Sequence, residues 1–114
     1  MYLPETVPDL EKESCHFAMP VAWFLANPNG VLHDGIITTL MDISMGHLVA
    51  KSAGLGATIE MNVQFMRPVV GEEVTAVGSF TRRGWRISFM ESHLYGAEGR
   101  LAAHATATWK MPDL

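Results

Sequence analysis

An acid lies two turns into an otherwise apolar, helix-patterned run, GIITTLMDISMGHLVAKSAG, and between Asp34 and Lys51 the only ionisable side chains are Asp42 and His47. Burial disfavours the charged form of a carboxylate, so Asp42 is expected to have a raised pKa, suited to a general base. The competing reading is an aspartate that faces solvent or is satisfied by a Thr or Arg partner. Gly46 follows Asp42 by four residues and shares its helical face. Its missing side chain would open room for substrate or a second backbone, or would simply allow close helix packing. His47 lies off that face. Upstream, Leu32-His33-Asp34-Gly35 stands where a loop meets a helix. The first N–H groups of a helix lack intrahelical partners and carry the positive end of its dipole, so a carbonyl oxygen turning negative under attack would be stabilised there. The plainer role for Asp34 is an N-cap.

Arg82, Arg83 and Arg86 gather around Gly84. Guanidinium groups pair with phosphate oxygens in bidentate fashion, so this hairpin could hold phosphates, although solvated arginines alone would look the same. Cys15 is the single cysteine and cannot form an internal disulfide. Its neighbour His16 would point to the opposite side of a strand, so Cys15 reads as a small buried hydrophobe. The five histidines (His16, His33, His47, His93, His104) show no H-E-x-x-H or comparable spacing, which argues against a metal site.

These residues need a scaffold. The helix should begin near Asp34 or Gly35 and end where Lys51 precedes Gly54. It is apolar almost all round, so it should be buried. Before it, residues 1–13 carry Pro4 and Pro8 among acids and read as a loosely structured or briefly helical lead-in. Ser14 to Ala26 fits a strand with Pro20 at an edge or bulge, followed by an Asn27-Pro28-Asn29-Gly30 turn. After the helix come four strand-like runs, about Ala57 to Arg67, Glu73 to Arg82, Trp85 to Tyr95 and Arg100 to Lys110, expected as an antiparallel meander. The last alternates Leu101, Ala103, Ala105, Ala107 and Trp109 with Ala102, His104, Thr106, Thr108 and Lys110, and its alanine face leaves room for something bulky. About five strands can bury such a helix only by curling around it, an α+β arrangement in one domain spanning residues 14–114.

Hydrophobic residues make up 48% against 18% charged, rich enough for a small domain that apolar surface between subunits is expected. A net charge of −4 without a basic block argues against nucleic acid. No apolar stretch near the length of a membrane span occurs and residues 1–13 do not resemble a signal peptide, so no membrane association and a cytoplasmic location are expected.

The stretch Asn27-Pro28-Asn29-Gly30-Val31-Leu32-His33-Asp34-Gly35, with Asp42 nine residues after His33, resembles the active-site stretch of hotdog-fold thioesterases. The similarity is to the PaaI-like and thioesterase-superfamily-member-2-like branch, which carries N-x-x-G-x-L-H-G-G followed by an aspartate within the helix, and it runs from Asn27 to the end of the chain. The resemblance implies the hotdog fold and an acyl-CoA thioesterase that is a homodimer or a dimer of dimers, with coenzyme A entering as part of the substrate and no separate cofactor. It implies that Asp42 activates water or attacks the thioester, Asn27 positions water or carbonyl, His33 and the backbone N–H groups at Asp34 and Gly35 polarise the carbonyl, and Thr58 assists. It also implies that Asp42 and Thr58 of one subunit face the Asn27–Gly35 loop of the other. Arg82, Arg83 and Arg86 would then meet the coenzyme A phosphates. The chain departs from the pattern at Asp34, where the branch has glycine; only the backbone N–H is shared. The acyl group could be small and aromatic or of medium chain length. The competing expectations are a hotdog dehydratase or hydratase and a non-catalytic acyl-CoA-binding dimer.

Overall fold

The computed structural model describes residues 5–9, 14–20, 31–69, 73–96 and 99–112, the first two stretches as backbone only. Its central element is α1 (Asp34–Ser52), which buries Ile37, Leu40, Met41, Ser44, Met45, Leu48 and Val49 and leaves Asp34, Thr39, His47 and Lys51 exposed. The helix ends as its sequence predicts. The N–H groups of Ala53 and Gly54 both donate to the Val49 carbonyl, at 2.8 and 3.1 Å, and Gly54 adopts φ 113°, where a side chain would be strained.

Around α1 curls one antiparallel sheet of six strands: β1 (Glu5–Asp9), β2 (Ser14–Pro20), β3 (Ala57–Phe65), β4 (Glu73–Arg82), β5 (Ile87–Tyr95) and β6 (Leu101–Lys110). Their spatial order is β1-β2-β4-β5-β6-β3. This is the hotdog arrangement, with two corrections to the sequence reading. The meander holds only for β4, β5 and β6, because β3 crosses to the far edge to pair with β6 and β2 takes the place beside β4. The segment read as a loose or helical lead-in contains β1, paired to β2 with Pro8 opposite Cys15. An outermost strand tolerates a residue without an N–H, which is why Pro8 does not prevent pairing there. Pro20 is the last residue of β2, in register with Glu73 of β4, and the described pairing with β1 ends at Ala18. The turn at residues 27–30 falls outside the described residues, and the expected burial of Cys15 concerns a side chain in a stretch described as backbone only.

β6 follows its alternation from Ala103 onward; at its start Ala102 is buried and Leu101 only half-buried, where the register with β5 shifts. Ala103, Ala105, Ala107 and Trp109 are buried towards α1, and the room left by the alanines is filled by the helix residues Leu40 and Met41 in one cluster and Met45, Leu48 and Val49 in the next. The helix approaches the sheet most tightly over β4. A Cβ on Gly78 would lie 2.5 Å from the Ser44 carbonyl oxygen and 2.9 Å from the Met45 nitrogen, so helix backbone rests directly on sheet backbone there. Beside that contact the buried hydroxyls of Ser44 and Ser92 share a hydrogen bond of 2.8 Å, and the Ser44 hydroxyl also lies 2.6 Å from the Met41 carbonyl. These contacts fix the helix in depth and rotation, and with it Asp42.

Candidate active site

Asp42 projects from α1 towards β3 and is half-buried. The hydroxyl of Thr58, the second residue of β3, donates a 2.8 Å hydrogen bond to its Oδ1. A turn of four residues, Ala53 to Gly56, joins the helix to this strand, so a residue on each side of the turn reaches back to the other. Thr58 pairs with Trp109 across the sheet and a register shift follows immediately, between Thr58 and Glu60. Direct cross-strand partners share a face of the sheet, so Thr58 faces the helix as Trp109 does. Asp42 is thus not sealed inside the apolar stripe. It sits at the margin between helix and edge strand, one oxygen held by Thr58.

Gly46 takes the packing reading. A Cβ there would stand 3.1 Å from Cη2 of Trp109, so the indole fills the space that the sequence offered to substrate. Trp109 is 5% exposed, and its Nε1 is buried without a partner among the described residues. His47 is exposed, in keeping with its expected displacement from that face.

At the other end of α1, His33 occupies the N-cap position at φ −62°, ψ 139°, without a side-chain cap. The cap reading of Asp34 is therefore corrected: it is the first helical residue, exposed, with its acid in the first turn. Intrahelical donation to the His33 carbonyl begins with the N–H groups of Ile36 and Ile37, at 3.0 and 3.1 Å. The N–H groups of Asp34 and Gly35 precede them and have no partner among the described residues. The approach to the helix is anchored by buried Leu32, whose N–H donates to the Val69 carbonyl at 3.0 Å. Asn27 lies outside the described residues. Asp34 and Asp42 are eight residues apart on one helix, a rise of about 12 Å. Within one chain, then, the Asp42 carboxylate and the free N–H groups cannot act on the same carbonyl.

The arginines divide. Arg82 and Arg86 are exposed, whereas Arg83 donates to the Ser52 carbonyl at 3.1 Å and stands over the Phe80 ring at 5.3 Å. Arg83 thereby ties the β4–β5 hairpin to the end of α1. Between them opens a crevice of about 300 Å³ lined by Ser52, Arg83, Gly84, Trp85, Met111 and Pro112. Ser52 is ten residues beyond Asp42, about 15 Å along the axis, so the arginine cluster is not adjacent to the carboxylate. On the opposite side of the sheet, pairing unites a group that histidine spacing did not disclose: Glu91, His93 and His104, which each offer one ligand atom, the three lying within 4.8 Å of one another. The signal was present as residues i and i+2 of one strand and a histidine in the hairpin partner, but it needs the strand register to be read.

The family profile described as Thioesterase superfamily matches residues 29–103. The chain belongs to the thioesterase superfamily. Its reaction class is thioester hydrolysis. As a superfamily member it is 30% identical to SSO2140 of Saccharolobus solfataricus over 110 residues, 95% of this chain and 79% of that one. It is 28% identical over 96 residues to the medium/long-chain acyl-CoA thioesterase YigI of Escherichia coli, covering 69% of this chain and 61% of YigI, so it spans under two thirds of that relative. It superposes on the crystal structure of a phenylacetic acid degradation-related protein of Ralstonia eutropha with TM-score 0.85 at 25% identity, covering 96% of this chain and 83% of that one. The resemblance to PaaI-like thioesterases and the hotdog fold expected from it are thus borne out. Among the described residues no helix is long and apolar enough to cross a membrane.

Proposed function

We propose that this thioesterase hydrolyses the acyl-CoA ester of a small aromatic or medium-chain acid, with Asp42 as its catalytic carboxylate in a site shared between two copies of the chain. The observation that carries the reading is the carboxylate held by Thr58 at the sheet's β3 edge. A buried aspartate deep in the core would have no route to substrate; one at this margin does. The rise of about 12 Å between Asp42 and the free N–H groups of its own helix supports a second copy as the source of the oxyanion donors. So does β3 itself, an edge strand of nine residues that leaves Ile59 55% and Phe65 45% exposed, with Leu55 before it 86% exposed. Such an edge is a template for pairing. Two β3 strands joined about a two-fold axis would run antiparallel and carry their helices antiparallel, bringing the N-terminus of each towards the middle of the other.

In the reaction, an Asp42 oxygen takes a proton from water as the water oxygen adds to the thioester carbonyl, or adds to the carbonyl itself to give an anhydride that water then cleaves. The carbonyl oxygen gains the negative charge and is met by the N–H groups of Asp34 and Gly35 with His33 and Asn27 of the second copy. Collapse expels the coenzyme A thiolate, which takes up a proton, and leaves the free acid. Arg82, Arg83 and Arg86 would meet the coenzyme A phosphates, about 15 Å along the helix axis from Asp42. The named activity of YigI and the name of the Ralstonia protein support the acyl-CoA class and the two kinds of acyl group.

The test is thiol release from phenylacetyl-, benzoyl- and straight-chain acyl-CoAs by the wild-type protein, Asp42→Ala and Asp42→Asn. Loss of the base should lower kcat by about 10²-fold or more. Hydration of an enoyl-CoA with no thiol released from any saturated ester would overturn the hydrolytic assignment to acyl-CoA.

A further inference from the structure

The face of the sheet turned away from α1 plays no part in the proposed reaction, yet it carries a group with metal-ligand chemistry. His93 of β5 and His104 of β6 are direct cross-strand partners. Their rings stand 4.5 Å apart between centroids at 35°. Glu91 precedes His93 by two residues on the same strand and therefore shares its face; its Oε2 lies 3.2 Å from Nε2 of His104. Tyr95, two residues beyond His93, stacks on that ring at 6.4 Å and 18°, which fixes the ring plane. The three side chains are half-buried rather than free to sweep through solvent, with Glu91 36% and His104 26% exposed.

We propose that Glu91, His93 and His104 form a binding site for a divalent transition-metal ion of the zinc class. Two imidazoles and one carboxylate are a donor set that suits zinc and its late first-row neighbours rather than magnesium or calcium, which prefer oxygen alone. Ligand atoms bonded tetrahedrally to such an ion stand about 3.3 Å apart, for bonds of about 2.0–2.1 Å. The trio already lies within 4.8 Å, so small side-chain rotations close the set and leave the fourth position to water. No described neighbour competes. The cross-strand partners that flank the trio are Val77 and Ser79 on β4, Thr106 on β6 and Gln64 on β3, all uncharged, so among these partners only His104 offers Glu91 a cationic group. A metal here clamps β5 to β6 at the centre of the sheet, on the side opposite Asp42, and serves stability rather than thioester cleavage.

The experiment is calorimetric titration of the intact protein with Zn²⁺ in a non-chelating buffer, together with its melting temperature at rising Zn²⁺ and the visible absorption of Co²⁺ as a geometric probe. One ion per chain should bind saturably, the melting temperature should climb with Zn²⁺, and Co²⁺ should give tetrahedral ligand-field bands. Loss of even an outer-shell partner weakens metal sites by about 10–100-fold, so His93→Ala and His104→Ala should each weaken binding by at least about tenfold. Glu91→Gln, which keeps shape and fold, should do likewise, while Asp42→Asn should bind Zn²⁺ as the wild type does. Absence of saturable binding, or affinity unchanged in Glu91→Gln and in both histidine variants, would overturn the assignment.

Discussion

Replacing Gly78 by Ala places a methyl group where the helix backbone now lies. The added Cβ would be 2.5 Å from the Ser44 carbonyl oxygen, against 3.4 Å for ordinary contact, so helix and sheet must separate by roughly 0.9 Å (3.4 − 2.5). Neither contacting atom belongs to a flexible side chain, so the strain cannot be relieved by a rotamer change. Overpacking of this kind costs about 1–3 kcal/mol. The separation also stretches the buried Ser44–Ser92 hydrogen bond, worth about 1 kcal/mol, while the lower chain entropy of Ala returns about 0.5–1 kcal/mol. The net loss is about 2 kcal/mol. For a domain near this size, each kcal/mol moves the melting temperature by about 4 °C or more, so a fall of about 8 °C is expected in circular-dichroism melts at fixed protein concentration. Gly96→Ala is the control, since a Cβ there meets nothing within 4 Å. Equal melting temperatures for the two variants would refute the argument that the helix is seated by backbone contact at Gly78.

Other consequences follow from the same contacts. Ser44→Ala orphans the buried Ser92 hydroxyl and should cost about 1–2 kcal/mol, whereas Ser92→Ala leaves the Ser44 hydroxyl its bond to the Met41 carbonyl and should cost less, with the double variant losing less than the sum in urea denaturation. Arg83→Ala removes the bond to Ser52 and the Phe80 contact and should lower the melting temperature by a few degrees, about 1 kcal/mol in stability. Arg82→Ala and Arg86→Ala should leave stability unchanged and raise KM for acyl-CoA with kcat preserved, read from steady-state thiol release. Ile59→Lys, on the exposed edge strand, should shift the protein to monomer in sedimentation velocity and abolish turnover together.

What the sequence disclosed follows from how local the signals are. α1 was legible because its boundaries rest on short-range chemistry, Lys51 and Gly54 at one end and the loop before Asp34 at the other. β4 was legible to its last residue, Arg82, between turn signals. β3 begins at Ala57 as read, but its place beside β6 was not, because alternation within a strand says which face is buried and nothing about which strand lies alongside. β1 was hidden by Pro8, a strand breaker everywhere except at an edge. Of the site, Asp42 stood out as the odd acid in an apolar helix, and Thr58 came through family resemblance alone, since its link to Asp42 depends on the turn at Ala53–Gly56. Gly46 was ambiguous on local grounds; the indole that decides it comes from Trp109, 63 residues away in sequence (109 − 46). The Glu91, His93 and His104 cluster was invisible for the same reason, being made by strand register rather than by spacing.

Turnover by this route requires Asp42 to meet a carbonyl polarised by another copy's loop, and subunit mixing tests this directly. Asp42→Ala and Asn27→Ala homodimers should each be inactive in thiol release. When the two are unfolded together and refolded, random pairing makes half the dimers mixed, and each mixed dimer holds one complete site of two, so about a quarter of wild-type activity should return. Activity that stays at the level of the separate variants after mixing, or an Asp42→Ala homodimer that turns over at the wild-type rate, would contradict the account.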